Sequence, residues 1–144
     1  LYDPANEPDI AYPYLFSYFK GEEWRTQKTV SDLLKKYYTD KPDGIPGNED
    51  TGTMSSWAIF SMMGLYPDNP GSPYYPLATP VFDKVTLHLD PRFYPNGDIT
   101  ITTDRKSADQ TYIKEMTIGG KKLSSFRISH KQLVEGKNLE MKLK

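Results

Sequence analysis

The chain has no cysteine, so neither a disulfide framework nor a thiolate metal site is available, and the redox compartment is not written in the residues. No apolar run approaches the ~20 residues of a membrane-spanning helix, and 26% charged against 37% apolar residues excludes a membrane span. Neither sign of charge is in excess: 18 basic and 19 acidic side chains give a formal net charge of −1. That removes the electrostatic basis for nucleic acid as a partner. The start, Leu1-Tyr2-Asp3-Pro4, lacks a methionine, a basic segment and an apolar signal core, and reads as the interior of something longer. Two histidines without cysteine give no zinc-type spacing, and Ser55 and Ser56 have no nearby histidine to activate them.

What is present is aromatic and proline-rich: eleven tyrosines, two tryptophans, six phenylalanines and twelve prolines in 144 residues. Tyr and Trp offer a flat apolar face with a hydrogen-bonding tip, suited to sugar rings and equally to cores. Charge is unevenly spread, with 6 basic and 11 acidic side chains in residues 1–80 against 12 and 8 in residues 81–144. The division matches a change of pattern. Three helices are expected in the first part, over residues 9–19, 22–38 and 52–64. Tyr12, Leu15, Phe16 and Phe19 lie at helical spacing in the first. Val30, Leu33, Leu34, Tyr37 and Tyr38 form one face of the second. The third carries Met54, Trp57, Ala58, Phe60, Met62 and Met63, broken only by Ser and Thr, and is expected to be buried nearly all round. Six prolines and glycines within residues 65–80 argue against regular structure there. Period-two alternation follows at 84–89 and 99–102, then a Gly119-Gly120 hairpin and further strand patterns at 126–129 and 139–143. These predict an antiparallel sheet packed against other structure.

The densest chemistry lies in Gly44-Ile45-Pro46-Gly47-Asn48-Glu49-Asp50-Thr51-Gly52-Thr53-Met54-Ser55-Ser56-Trp57. Two carboxylates and an amide sit in a glycine-rich turn opening directly into an apolar helix. Thr51 or Thr53 is a candidate cap, and the helix N-terminus favours the carboxylates beside it. Rigidly held oxygens of this kind suit a metal ion, a polyhydroxylated ligand or a catalytic water. An acidic capping turn is the plain alternative.

Three segments together resemble one family, glycoside hydrolase family 92: Asn6-Glu7-Pro8-Asp9-Ile10 with Pro13-Tyr14-Leu15; residues 44–57; and Gly64-Leu65-Tyr66-Pro67, Pro70-Gly71-Ser72 and Thr79-Pro80-Val81-Phe82. The resemblance implies calcium-dependent, inverting exo-α-mannosidases, many α-1,2-specific, acting on mannose-containing glycans and secreted or periplasmic. It implies an α+β architecture in which residues 1–80 are the last helices of an (α/α)6 barrel and residues 81–144 the trailing antiparallel strands. The missing N-terminal portion is then the principal partner.

Inverting hydrolysis uses one carboxylic acid and one carboxylate on opposite faces of the sugar. The resemblance assigns the general base to Asp50 and the positioning of water or substrate to Asn48, where the family often has a second carboxylate. It assigns calcium ligands to Asn6 and Glu7, although Ca2+ takes six to eight oxygens and two residues do not complete a shell. Glu49 and Trp24 are candidates for substrate contact. The general acid is expected on a glutamate upstream of Leu1. The reading from another class is a non-catalytic carbohydrate-binding or interaction module with its whole ligand set in these residues.

Overall fold

A computed structural model describes residues 2–144 and has a mixed α+β architecture. Two 3-10 stretches, Glu7–Asp9 and Tyr12–Tyr18, open it. A helix over 9–19 was expected, and the difference has a local cause. Pro8 and Pro13 occupy the first turns and remove backbone donors. The Ser17 hydroxyl donates to the Tyr14 carbonyl at 2.7 Å, offering the backbone an alternative partner. The tighter winding also moves the buried face. Pro13, Tyr14 and Ser17 turn inward, while Tyr12, Leu15 and Phe19 are exposed.

Helix α1, Glu23–Tyr37, has Glu23 in its first turn and Lys35 and Lys36 in its last, charges that complement the helix dipole. Val30, Leu33 and Leu34 form its buried face, extended by Thr26 and Gln27. Helix α2, Thr53–Met63, runs between Gly52 and Gly64, both in the left-handed region (φ 91° and 90°). Gly64 ends the helix: its backbone N–H reaches back to Ser61, and that of Leu65 to Phe60 at 3.2 Å. A Cβ at 64 would lie 2.6 Å from Pro80, so only glycine fits that crossing. Burial around α2 is less complete than its composition suggests. Met54, Trp57, Ala58 and Ser61 are buried, whereas Ile59 is 57% exposed.

The strands form two sheets. In the smaller, β1 (Tyr74–Pro76) pairs antiparallel with β6 (Arg127–Ser129). This corrects the expectation of no regular structure at 65–80. Pro76 closes the short strand, a position a proline tolerates. The larger sheet contains β2 (Lys84–Leu87), β3 (Ile99–Thr103), β4 (Ile113–Ile118), β5 (Lys121–Lys122) and β7 (Asn138–Leu143), in the order β2-β3-β7-β4-β5. It is mixed rather than antiparallel, because β3 and β7 run parallel with Ile101 opposite Leu139. The element behind this correction is helix α3, His130–Gly136, between β6 and β7. Ser129 and Gln132 close a reciprocal capping box at its start. The Ser-x-x-Gln spacing was present in the sequence.

Two apolar clusters make the core. One joins Leu65 and Leu77 to the sheet residues Ile99, Ile101, Met116, Leu139 and Met141. The other gathers Tyr14, Val30, Leu33, Leu34, Trp57, Ala58, Tyr66 and Ala78 among the helices. Phe60 packs against both. Polar links reinforce the join. The Gln27 Oε1 accepts from the Ile113 amide at 2.8 Å, and the Thr79 hydroxyl donates to the Thr111 carbonyl at 2.5 Å. Arg105 donates to the carbonyls of Gln110 and Pro80. No helix is long and apolar enough to cross a membrane among the described residues.

Candidate active site

The acidic turn ends in an unusual backbone. Asp50 (φ 50°), Thr51 (φ 60°) and Gly52 (φ 91°) are three consecutive left-handed residues. Two of them carry side chains, and each left-handed non-glycine residue costs of order 1–3 kcal/mol. Strain of this kind persists only where the surroundings over-determine it. Here the turn is held by the Thr53 amide on the Asp50 carbonyl and the Met54 amide on the Glu49 carbonyl, both at 3.2 Å.

The helix cap is neither Thr51 nor Thr53. Glu49 supplies it: its Oε1 accepts from the Ser55 amide at 3.1 Å, and its Oε2 accepts from the Ser55 hydroxyl at 2.7 Å. A carboxylate there satisfies an orphan N–H and faces the positive end of the helix dipole. Its neighbours are left unengaged. Among the described residues, the side chains of Asn48, which is exposed, and Asp50, which is half-buried, have no protein hydrogen-bond partner or ion pair. The left-handed turn therefore separates two carboxylates by role, one committed to the helix and one available.

Asn6 and Glu7 come to the same place. At Gly47 (φ 68°) a Cβ would lie 2.5 Å from the Ala5 carbonyl oxygen, so the acidic turn and the segment carrying Asn6 and Glu7 are in contact. The Thr53 hydroxyl donates to Glu7 Oε1 at 3.2 Å. Asp9, which sequence reasoning did not single out as a site residue, organises that segment. It is buried, and its Oδ2 accepts from the Asp3 amide at 2.8 Å, while Asp3 in turn receives the Ala5 amide. The Asn-Glu-Pro-Asp run carries no periodic signal for this.

Beneath both loops lies an aromatic floor. Trp57 is buried, its indole N–H donates to the Ile10 carbonyl at 2.9 Å, and its ring stacks on Tyr38 at 5.5 Å. Tyr66 stacks on Tyr14 at 5.0 Å, and the Tyr14 hydroxyl bonds Ser61 at 2.7 Å. Burial pushes the Tyr38 hydroxyl up to about 12, with the Glu49 charge adding to it. Burial also raises Tyr66, with Asp68 and Glu7 contributing, and raises Tyr14 further. Tyr38 and Tyr66 thus border the acidic residues as neutral groups, a placement the sequence did not single out. Trp24 is elsewhere. It sits in the first turn of α1, whose fifteen residues span about 20 Å, and the acidic turn follows the other end of that helix.

A hard cation calls for oxygen donors. Glu7 and Asn6 are exposed and supply carboxylate and amide oxygens, so their chemistry fits calcium. Their number does not close a shell, and among the described residues no group of three or more His, Cys, Asp or Glu is arranged to hold a metal ion.

The glycosyl hydrolase family 92 catalytic domain matches residues 1–144, and the chain belongs to that family. It is 31% identical over 143 residues, 96% of this chain, to an uncharacterized secreted glycosidase of Arthroderma benhamiae. A family GH92 α-mannosidase of Bacteroides thetaiotaomicron, solved in complex with mannoimidazole, aligns with a TM-score of 0.83 at 30% identity over 96% of this chain. A family GH92 inverting mannosidase of the same organism aligns at 0.83 and 32%, also over 96%. The chain spans 18% of the fungal relative and 17% and 18% of the two bacterial ones. It is a portion of a glycosyl hydrolase family 92 catalytic domain.

Proposed function

We propose that this chain is the base-bearing portion of an inverting, calcium-dependent exo-α-mannosidase acting on mannose-containing glycans, with α-1,2 linkages the favoured substrate. The observation that carries the reading is the strained left-handed turn, which leaves the Asp50 carboxylate without a partner among the described residues, in a loop that touches the Asn6–Glu7 segment through Gly47 and Thr53. In the reaction, Asp50 accepts a proton from a water whose oxygen attacks the anomeric carbon. The bond to the leaving oxygen breaks as that oxygen receives a proton from a carboxylic acid on the opposite face. Asn48, with a free amide, orients the water or a sugar hydroxyl. Glu49 fixes the turn through Ser55 and approaches substrate only through that placement.

Asn6 and Glu7 would hold calcium together with ligands from the rest of the enzyme. The ion, when bound, supplies positive charge to the sugar hydroxyls it contacts. The general acid is assigned to a glutamate upstream of Leu1, so the 144 residues alone are expected to be inactive. Residues 1–80 are assigned to the end of the helical barrel and residues 81–144 to trailing strands. A secreted or periplasmic location is implied by the family, and the fungal relative is named as a secreted glycosidase. The test is hydrolysis of α-1,2-mannobiose by the full-length enzyme that carries this sequence. Asp50→Asn is expected to lower turnover by about 10²–10⁴-fold with folding unchanged, and near-normal turnover overturns the assignment.

A further inference from the structure

A second cleft, of about 450 Å³, opens where the start of α1 meets β4, well away from the acidic turn. Its volume falls within the ~300–1,000 Å³ typical of small-molecule sites. Trp24, Tyr112 and Phe126 line it, with Gln27 and Lys114 among its polar groups. The Trp24 and Tyr112 rings meet edge to face, with centroids 6.4 Å apart and planes at 63°. Trp24 is 45% exposed, and Arg25 lies over its ring at 5.3 Å.

The polar part of the cleft is built rather than incidental. Gln27 is only 1% exposed, and its Oε1 is fixed by the Ile113 amide at 2.8 Å. That bond orients the carboxamide and leaves its N–H2 end without a protein partner among the described residues, at a residue that lines the cleft. Among the described residues the Trp24 indole N–H has no hydrogen-bond partner, and neither Lys114 nor Lys144 forms an ion pair. The backbone of Lys144 pairs with Tyr112, holding that wall in place. Glu23 is engaged by the Gly21 amide at 2.7 Å. The cleft therefore offers apolar ring surface, one fixed donor in the Gln27 amide, and further donors from Trp24 and the lysines, beside the Glu23 carboxylate. A sugar meets that description, its C–H face packing on the rings and its hydroxyl oxygens accepting from the donors.

We infer that this cleft is a second, non-catalytic carbohydrate-binding site that takes a hexose unit of a mannose-containing glycan. It keeps a branched substrate on the protein while another arm is hydrolysed. The inference rests on the mannosidase reading only for the identity of the sugar. The test titrates the hydrolysis-resistant S-linked α-1,2-mannobiose into the full-length enzyme, segmentally isotope-labelled over these 144 residues, and follows amide and indole resonances. Saturable shifts are expected at the Trp24 indole and at Tyr112, Ile113 and Lys114, and unchanged in Asp50→Asn. That last arm separates this site from the base assignment, which is read by turnover. Trp24→Ala is expected to weaken binding by about tenfold or more. Lys114→Ala, at an exposed strand position, serves as a second variant with a smaller loss. Absence of saturable shifts, shifts confined to residues 48–53, equal binding of maltose, or unchanged binding in both variants would overturn the inference.

Discussion

Gly47 lies against Ala5 so closely that a Cβ at 47 would sit 2.5 Å from the Ala5 carbonyl oxygen. This contact joins the two loops that carry every candidate residue of the active site except Trp24. It also makes the site sensitive to one methyl group. Gly47→Ala meets both the clash and a φ of 68°, a combination costing of order 1–3 kcal/mol or more. The expected outcome is a lowered thermal midpoint together with a loss of turnover, as the Asn6–Glu7 segment is displaced from Asp50. A variant with wild-type midpoint and turnover would show that the loops are not coupled in this way.

Glu49 caps α2 through Ser55. Glu49→Ala removes that cap, and loss of an N-cap costs about 0.5–2 kcal/mol. Chemical denaturation is expected to show a reduced midpoint with unchanged slope. Ser55→Ala, which deletes only the hydroxyl partner, is expected to lose less. Equal stability of Glu49→Ala and wild type contradicts the capping role.

Tyr38 gives a pH dependence with a definite sign. Its hydroxyl is raised to about 12 by burial and the Glu49 charge, against about 10 in an unfolded chain. The folded state therefore binds this proton more tightly. Its contribution to stability is complete below about pH 10 and is lost as pH rises toward about 12. Solvent screening of this half-buried group keeps the effect modest. Unfolding midpoints measured across that window should fall less steeply in Tyr38→Phe than in wild type. Identical slopes would show that the ring does not titrate as described.

Much of this arrangement is legible in the residues. The face of α1 follows from Val30, Leu33 and Leu34, and the Gly119-Gly120 turn from its glycines. The sequence of the acidic turn announces a held cluster of oxygens, but not which carboxylate is held. That choice depends on Asp50 and Thr51 taking left-handed backbone in succession, which is uncommon for any non-glycine residue and an outlier for the β-branched Thr51. The parallel pairing of β3 with β7 was hidden for a different reason. The alternation of Ile99 and Ile101 fixes which face is buried but not the direction of a partner 38 residues away. The cap of α3, Ser129 with Gln132, was the local signal for the crossover. The 3-10 winding of Tyr12–Tyr18 comes from Pro8, Pro13 and the Ser17 hydroxyl, and it turns Tyr14 inward onto Tyr66 and Ser61, against the spacing of Tyr12, Leu15 and Phe19.

Asn6 and Glu7 supply oxygen donors on exposed positions, which motivates a test with metal. Exhaustive chelation of the full-length enzyme is expected to abolish hydrolysis, with calcium and not zinc restoring it. Glu7→Gln is expected to need more calcium for half-maximal activity. Full activity after chelation refutes the calcium requirement.

The most direct measurement of the central claim uses Asp50→Asn in the full-length enzyme, with and without azide. Azide needs no general base, so it can attack where water is no longer activated. The account predicts turnover reduced by about 10²–10⁴-fold in water, unchanged folding, and partial recovery in azide with a β-configured mannosyl azide as product. Near-normal turnover of Asp50→Asn without azide would contradict it.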